Sequence, residues 1–322
     1  MMASYLFKRL LYAVVLLLAV VALNFLLIHI SPGDPVETIA GSMGGMSEEL
    51  RAQLRQEFGL DKPFIVQLGI YLGRVVQGDL GQSYFFNAPV ASLIWERVPA
   101  TLLLVVVSVL VAFVVGTLLG ALAARKPNGL LSQVVTTLSI VGYSAPVFWT
   151  GIVLIILFAS VVPIFPVSDM RTAGMSDGGV AGVLDVLHHL VLPALSLAFV
   201  YVAQYSRLAR ASMMEALSAD YIRTARAKGL SETVVLYKHA LRNAVLPVVT
   251  MLGLQFGNVL AGAILVETVF NWPGLGRLAF DSVLRRDYPT MLGILLFASM
   301  LVVVMNQLTD LAYRIIDPRI KA

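Results

Sequence analysis

Apolar residues along this chain are pooled into long runs instead of alternating with polar ones. Six blocks stand out: Leu10–Ile30, Ala100–Ala124, Val134–Val162, Leu187–Ser206, Val245–Val266 and Thr290–Tyr313. The hydrocarbon core of a bilayer is about 30 Å thick, and a helix rising ~1.5 Å per residue crosses it in about 20 residues. Each block is that long. Only helices and closed barrels satisfy every backbone polar group in lipid. The blocks lack period-two alternation, so the pattern predicts an all-α membrane protein with six transmembrane helices. The first block follows Lys8 and Arg9 and resembles the start of a signal sequence. Its 21 residues are too many for that, and no small-x-small cleavage site precedes Ser31-Pro32, so it is expected to remain as the first span.

Composition agrees. Of 322 residues, 58% are hydrophobic and 13% charged, against about 45–50% and about 25% in soluble domains. So few charges cannot cover a soluble enzyme of this size. The high hydrophobicity also excludes a disordered chain. The charges orient the spans. With the N-terminus inside, the internal pieces 1–9, 125–133, 207–244 and 314–322 hold 14 Lys/Arg in 65 residues, while the external pieces hold 9 in 116. Basic residues gather on the cytoplasmic side, so both termini are expected to be cytoplasmic. The net charge of +4 needs only anionic lipid as its partner and no nucleic acid. The absence of Cys removes disulfides and thiolate-metal sites.

Motifs for autonomous chemistry are missing. No Gly is followed by Lys, so there is no P-loop and no ATP site of the chain's own. His29, His188, His189 and His239 lack metal-ligand spacing, and no Gly-x-Ser-x-Gly elbow occurs. The interiors of the blocks hold only neutral polar groups, among them Asn24, Ser108, Thr117, Ser139, Gln204, Gln255, Asn258, Asn306 and Gln307, with Glu267 and Asp310 near span ends. Transporters coupled to ions usually place ionisable groups there. A stand-alone secondary transporter therefore lacks its engine, and a membrane enzyme lacks site residues. The energy for any pumping must come from another chain.

Two loops exceed the length of connectors. External loop 31–99 contains Met46-Ser47-Glu48-Glu49-Leu50 running to Glu57, where Ser47 can cap a short helix with acids in its first turn. Gly59, Pro63, Gly78 and Gly81 then suggest either a collar over the outer mouth or a solvated hairpin. Internal loop 207–244 carries seven Lys/Arg against three acids. Asp220 is a plausible N-cap for a helix over Tyr221–Lys228, and Gly229 stands at the C′ position that stops it. Ile222 and Ala225 share one face and Arg223 and Arg226 another. Ser231-Glu232 starts a second helix toward Leu246-Pro247. The short helix suits a groove on a partner, with Ala225 and Gly229 small enough for close approach, or equally an anionic lipid surface.

Within the spans, Gly142 and Pro146 are expected to tilt or break the third block. Gly116-x-x-x-Gly120 and Gly253-x-x-x-Gly257 have the spacing of close helix packing. Gln255 and Asn258 share a face, for interhelical hydrogen bonds or a wet path. Residues 267–289 begin with Glu267. Trp272 suits an interface, and Pro273-Gly274 disfavours a continuing helix. A re-entrant or interfacial element at an outer gate is expected there.

The strings carry a resemblance. Asp220-Tyr221-Ile222-Arg223-Thr224-Ala225-Arg226-Ala227-Lys228-Gly229-Leu230, with His239-Ala240-Leu241-Arg242-Asn243-Ala244 and Leu246-Pro247, resembles the coupling loop of binding-protein-dependent ABC importers. Pro32-Gly33-Asp34-Pro35, Gly59-Leu60-Asp61-Lys62-Pro63, Gly78-Asp79-Leu80-Gly81-Gln82-Ser83 and Arg97-Val98-Pro99-Ala100-Thr101-Leu102 fall in family order. So do Ser144-Ala145-Pro146-Val147-Phe148-Trp149, the run Glu267 to Arg277, Arg286-Asp287-Tyr288-Pro289 and Asp317-Pro318-Arg319. Across essentially the whole chain the likeness is to the B-type permease subunit of dipeptide, oligopeptide and nickel importers. The general Glu-Ala-Ala-x3-Gly pattern is met at Ala225 and Gly229, with Arg223 and Thr224 departing from it as in the peptide/nickel branch. Position 223 thus offers a cation to the partner.

The resemblance implies a type I ABC importer permease in a bacterial inner membrane, with no catalytic, cofactor or metal site of its own. It implies a first span with periplasmic segment over 1–96, a core over 97–313 and a tail over 314–322. Implied partners are a second homologous permease, two ATP-binding subunits holding ATP and Mg, and a periplasmic substrate-binding protein. Peptides are the implied cargo, with nickel chelates, glutathione or another small solute as alternatives. Asp220, Tyr221, Ile222, Arg223, Ala225, Arg226, Lys228 and Gly229 would couple to the ATPase. Gln255, Asn258, Glu267, Trp272, Pro273 and Gly274 are the candidates for pathway and gate.

Overall fold

The computed structural model describes residues 11–12, 14–23, 25–26, 36, 47–57, 61–83, 85–174 and 178–316, without side chains for 54, 57, 253–254, 256–258, 260–261 and 308–316. The described chain is almost entirely helical and divides into two compact units, one of 1–99 with 277–304 and one of 100–276 with 305–322. Val90–Arg125, Gly179–Ser218 and Tyr288–Gln307 are each long and apolar enough to cross a bilayer. Leu130–Ser144 with Val147–Val161 makes a fourth such span if the bent pair is one crossing. Block Leu10–Ile30 lies partly outside the described residues.

The first unit contains α1 (Val14–Leu23), α2 (Glu48–Glu57), α3 (Phe64–Val76), β1 (Gln82–Ser83) and β2 (Ala88–Pro89). Ser47 caps α2 as expected, its Oγ accepting the Leu50 N–H at 3.3 Å. β1 and β2 pair antiparallel, Gln82 opposite Pro89 and Ser83 opposite Ala88. The described part of segment 31–99 thus carries helices and a strand pair of its own. It is also clipped to the segment before the last helix. Ser83 Oγ and Thr290 Oγ1 both donate to Asp287 Oδ2, and the Arg285 guanidinium lies 3.8 Å from the Phe85 ring centroid.

The second unit is organised around α7 (Gly179–Ser218). Against it pack α5 (Leu130–Ser144), α6 (Val147–Ile155) and α10 (Leu241–Val269), with α4 (Val90–Arg125) supplying residues from Ala100 on. α4 meets α7 through glycines. A Cβ on Gly116 would sit 2.7 Å from Tyr205 Cβ, and one on Gly120 would sit 2.5 Å from the Ser206 carbonyl oxygen. That spacing is therefore packing, as the sequence suggested. The second glycine pair, Gly253 and Gly257, lies outside the described side chains. The third block is not one straight span. α5 and α6 meet at 106°, because Ala145 is extended (φ −78, ψ 128) before Pro146, as the proline ring demands. α6 then runs on as a π-helical stretch, Ile156–Val161.

Two apolar clusters result. The larger holds Leu104, Val105, Leu197, Tyr205, Val259, Val266, Phe270 and Trp272. The smaller gathers at the other end: Ala121 and Ala124 of α4, Met213 and Ala216 of α7, and Ala244 of α10, with Val235, Leu236 and Ala240. Ile222 and Ala225 complete it.

Candidate functional site

Residues 219–244 fold in outline as their turn signals suggest. α8 (Asp220–Ala227) is followed by α9 (Glu232–Val234), a π-helical stretch Val235–Ala240, and α10. Gly229, at φ +77, ends α8: its N–H donates to Arg226 O at 2.9 Å and the Leu230 N–H to Ala225 O at 3.4 Å. That pair of bonds closes two orphan carbonyls and needs a left-handed residue at the turn. The start of α8 corrects the sequence reading. Asp220 is its first residue, not its cap; Ala219 holds the cap position without a side-chain bond. Asp220 instead pairs with Arg223 at 3.1 Å, on an exposed surface.

α8 buries one face and exposes the other. Ile222 is 0% and Ala225 5% exposed, both inside the smaller cluster. They pack against the ends of α4, α7 and α10 that carry Ala121, Met213 and Ala244. Tyr221, Arg223, Thr224 and Lys228 face outward. Arg226 ties α8 to α9, its Nε donating to Glu232 Oε1 at 2.8 Å. That bond, with Arg125 adding a weaker attraction, holds the Glu232 carboxyl below the usual range. A helix anchored on one face transmits a push on the other. Ile222→Ala is therefore expected to cost about 2–5 kcal/mol and to lower the thermal unfolding midpoint of the purified chain. An unchanged midpoint would mean that α8 hangs free.

At the opposite end of the second unit, the turn after α10 is locked from within. Glu267 is 0% exposed. Its Oε1 accepts from Thr101 Oγ1 at 2.6 Å and its Oε2 from the Gly276 N–H at 2.6 Å. Thr101 Oγ1 accepts in turn from the Leu275 N–H at 2.8 Å. Leu275 and Gly276 open α11 (Leu275–Arg285), so the carboxylate meets the positive end of that helix. Trp272 is 0% exposed and donates from Nε1 to Ala100 O at 2.9 Å. The expectation of an interfacial Trp272 is thus wrong; its ring fills the core and its N–H finds a carbonyl there. A Cβ on Gly274 would stand 2.2 Å from Glu267 Oε1, so only glycine fits over the carboxylate. Asp169 adds a second clip: its N–H donates to Phe270 O at 2.8 Å, and its Oδ1 accepts from Asn271 Nδ2.

Sequence reasoning singled out Glu267 but missed Thr101 and Asp169. A hydroxyl in the first turn of a clean apolar block was the available signal for Thr101. Gln255 donates to Gln204 Oε1 at 2.6 Å, joining α10 to α7. Asn258 lies outside the described side chains. His188 faces the Ile164 carbonyl and His189 lies against Asp185. Among the described residues no cluster of acids and histidines could hold a metal ion.

Residues 116–322 match the family of the binding-protein-dependent transport system inner membrane component, and residues 2–105 match the N-terminal part described for such membrane components. The chain is similar to the oligopeptide transport system permease protein AppB of Bacillus subtilis (strain 168), 39% identical over 321 residues, 99% of this chain and 100% of that one. It is 41% identical over 337 residues to the dipeptide transport system permease protein DppB of Escherichia coli (strain K12), covering 99% of each chain. A solved structure of the MetNI methionine ABC transporter in inward facing conformations superposes with a TM-score of 0.56 at 17% identity, over 70% of this chain and 96% of that chain. At that identity the likeness speaks for the fold alone.

Proposed function

The chain belongs to the family of binding-protein-dependent transport system inner membrane components, and on that premise we propose that it conducts peptides through an ATP-driven importer. The observation that carries the peptide reading is the full-length similarity, at about 40% identity, to permeases named for dipeptide and oligopeptide transport. As a membrane component of this family it is a permease, not the ATPase. Its proposed topology is six spans of the type I importer fold, with both termini cytoplasmic and the divisions 1–96, 97–313 and 314–322.

A second permease would complete the pathway. Two ATP-binding subunits, holding ATP and Mg, would sit against α8, and a periplasmic binding protein would deliver cargo. The outward residues Tyr221, Arg223, Thr224 and Lys228 would meet the ATPase, while Ile222 and Ala225 would pass its closure to the inner ends of α4, α7 and α10. Two packings of those helices would then be biased by ATP. Gln255, Asn258 and the turn around Glu267, Trp272, Pro273 and Gly274 remain the proposed pathway and gate, the buried carboxylate acting on the turn from within.

Cargo is tested by the ligand of the companion binding protein. Dipeptides or oligopeptides should bind it and enter cells only when this chain is present; exclusive binding of a nickel chelate or glutathione would move the assignment to that solute. Coupling is tested by Gly229→Asp. The added Cβ meets no atom within 4 Å, but the left-handed backbone at φ +77 strains any side chain there, so the variant should insert with a distorted turn and hydrolyse ATP without uptake. Normal uptake would contradict docking at this turn.

A further inference from the structure

α7 is enclosed on three sides. Toward α5, Ala203 meets Gly142, where an added Cβ would lie 3.1 Å away, and Ser206 Oγ is 2.9 Å from Ser139 Oγ. Toward α10 stand Leu197 and Gln204, and toward α4 stand Tyr205 and Ala209. At about 100° per residue, the remaining face lies between the α5 and α10 sides and carries Arg207, Ala211 and Met214, all exposed.

Arg207 is a cation at the end of an apolar block. Its neighbour one turn on, Arg210, is committed to structure, donating to Ser132 Oγ at 2.8 Å and Pro127 O at 3.2 Å. Among the described residues Arg207 has no carboxylate partner; its guanidinium lies by the Tyr143 ring, with Cζ 5.8 Å from the centroid. Direction matters here. Side chains on a helix lean toward its N-terminus, and Tyr143 lies level with Ala203, one turn N-terminal of Arg207. In the proposed topology that end of α7 is external, so the guanidinium reaches toward the bilayer centre. A cation snorkelling to inner-leaflet phosphates would lean the other way. Gln204 is three residues before Arg207 on the same side, and its Oε1 is held by Gln255, which leaves its NH2 to donate toward the same space.

We propose that Arg207, with Gln204 and Tyr143, forms a subsite on the open face of α7 for the carboxylate of the solute in transit, the C-terminal group of a peptide. This rests on the peptide reading above. A cation that leans back along an apolar block with no carboxylate partner is costly unless it meets an anion, and a guanidinium fork beside an amide donor suits a carboxylate.

The test uses the complete importer in proteoliposomes, with a dipeptide and its C-terminal amide each presented at saturation of the binding protein. Arg207→Gln should lower the acid-to-amide uptake ratio by roughly tenfold or more, the scale of losing a charge-assisted bond, and Arg207→Lys should restore most of it. Equal loss for both peptides, or none, would overturn the subsite while leaving the peptide reading intact. A defect seen only in vesicles of anionic lipid would assign Arg207 to headgroups and overturn it too. If the wild-type importer carried neither peptide, the peptide reading itself would fall, and the subsite with it.

Discussion

Gly120→Val is expected to unseat α4 from α7. A Cβ at position 120 would lie 2.5 Å from the Ser206 carbonyl oxygen, 2.7 Å from Ala209 Cβ and 2.8 Å from the Arg210 nitrogen. Two of these three atoms are backbone and cannot rotate away, so the helices must separate. Separation would also strain the Ser139–Ser206 contact and the Arg210 bonds to the 126–132 region. Overpacking typically costs about 1–3 kcal/mol, and a backbone-limited contact belongs at the upper end. Thermal unfolding of the purified protein should show a midpoint lower by several degrees and a poor yield. Gly69→Ala in α3, where nothing lies within 4 Å of the added Cβ, should be neutral or stabilise by up to about 1 kcal/mol. Wild-type behaviour of Gly120→Val would disprove the close approach.

Glu267→Ala should loosen the turn after α10. Removing the carboxylate strands the Thr101 hydroxyl and the Gly276 N–H in a buried setting. Each stranded buried donor costs about 1–3 kcal/mol, and the deleted side chain leaves a void as well. Glu267→Gln keeps the volume, but its NH2 must face one of two donors, so it should fall between wild type and alanine. The chain has no native cysteine, so a single Leu275→Cys reports on the turn. Leu275 is 7% exposed, and its thiol should react slowly with a maleimide in the wild-type background and much faster with Glu267→Ala. Equal rates would mean that the carboxylate does not hold the turn.

Local signals carried much of the fold. Block lengths marked the helices, Ser47 marked the start of α2, Gly229 the stop of α8, and Pro146 the bend between α5 and α6. Each acts within a few residues, so the pattern alone reveals it. What stayed hidden depends on distant partners. Ile222 and Ala225 form an apolar pair that fits equally well in a partner's groove or against the chain's own helices, and their packing on α4, α7 and α10 is visible only once those distant helices are in place. Trp272 has an amphipathic ring that often sits at an interface, but here its N–H finds the Ala100 carbonyl, 172 positions away in sequence. Glu267 and Thr101 are 166 positions apart. The strands β1 and β2, two residues each, are too short to leave an alternating pattern. Arg207 stands one residue past an apolar block, where a count of charges by loop assigns it to the cytoplasm and conceals its lean toward the membrane.

The central claim is that this chain is a passive pathway driven by a partner that hydrolyses ATP. Uptake of a labelled dipeptide into proteoliposomes tests it most directly, comparing this chain alone with the assembly of both permeases, the ATP-binding subunits and the loaded binding protein. Uptake should occur only in the full assembly with hydrolysable ATP, and the chain alone should neither hydrolyse ATP nor transport under any ion gradient. Accumulation by the chain alone, driven by a proton gradient, would contradict it.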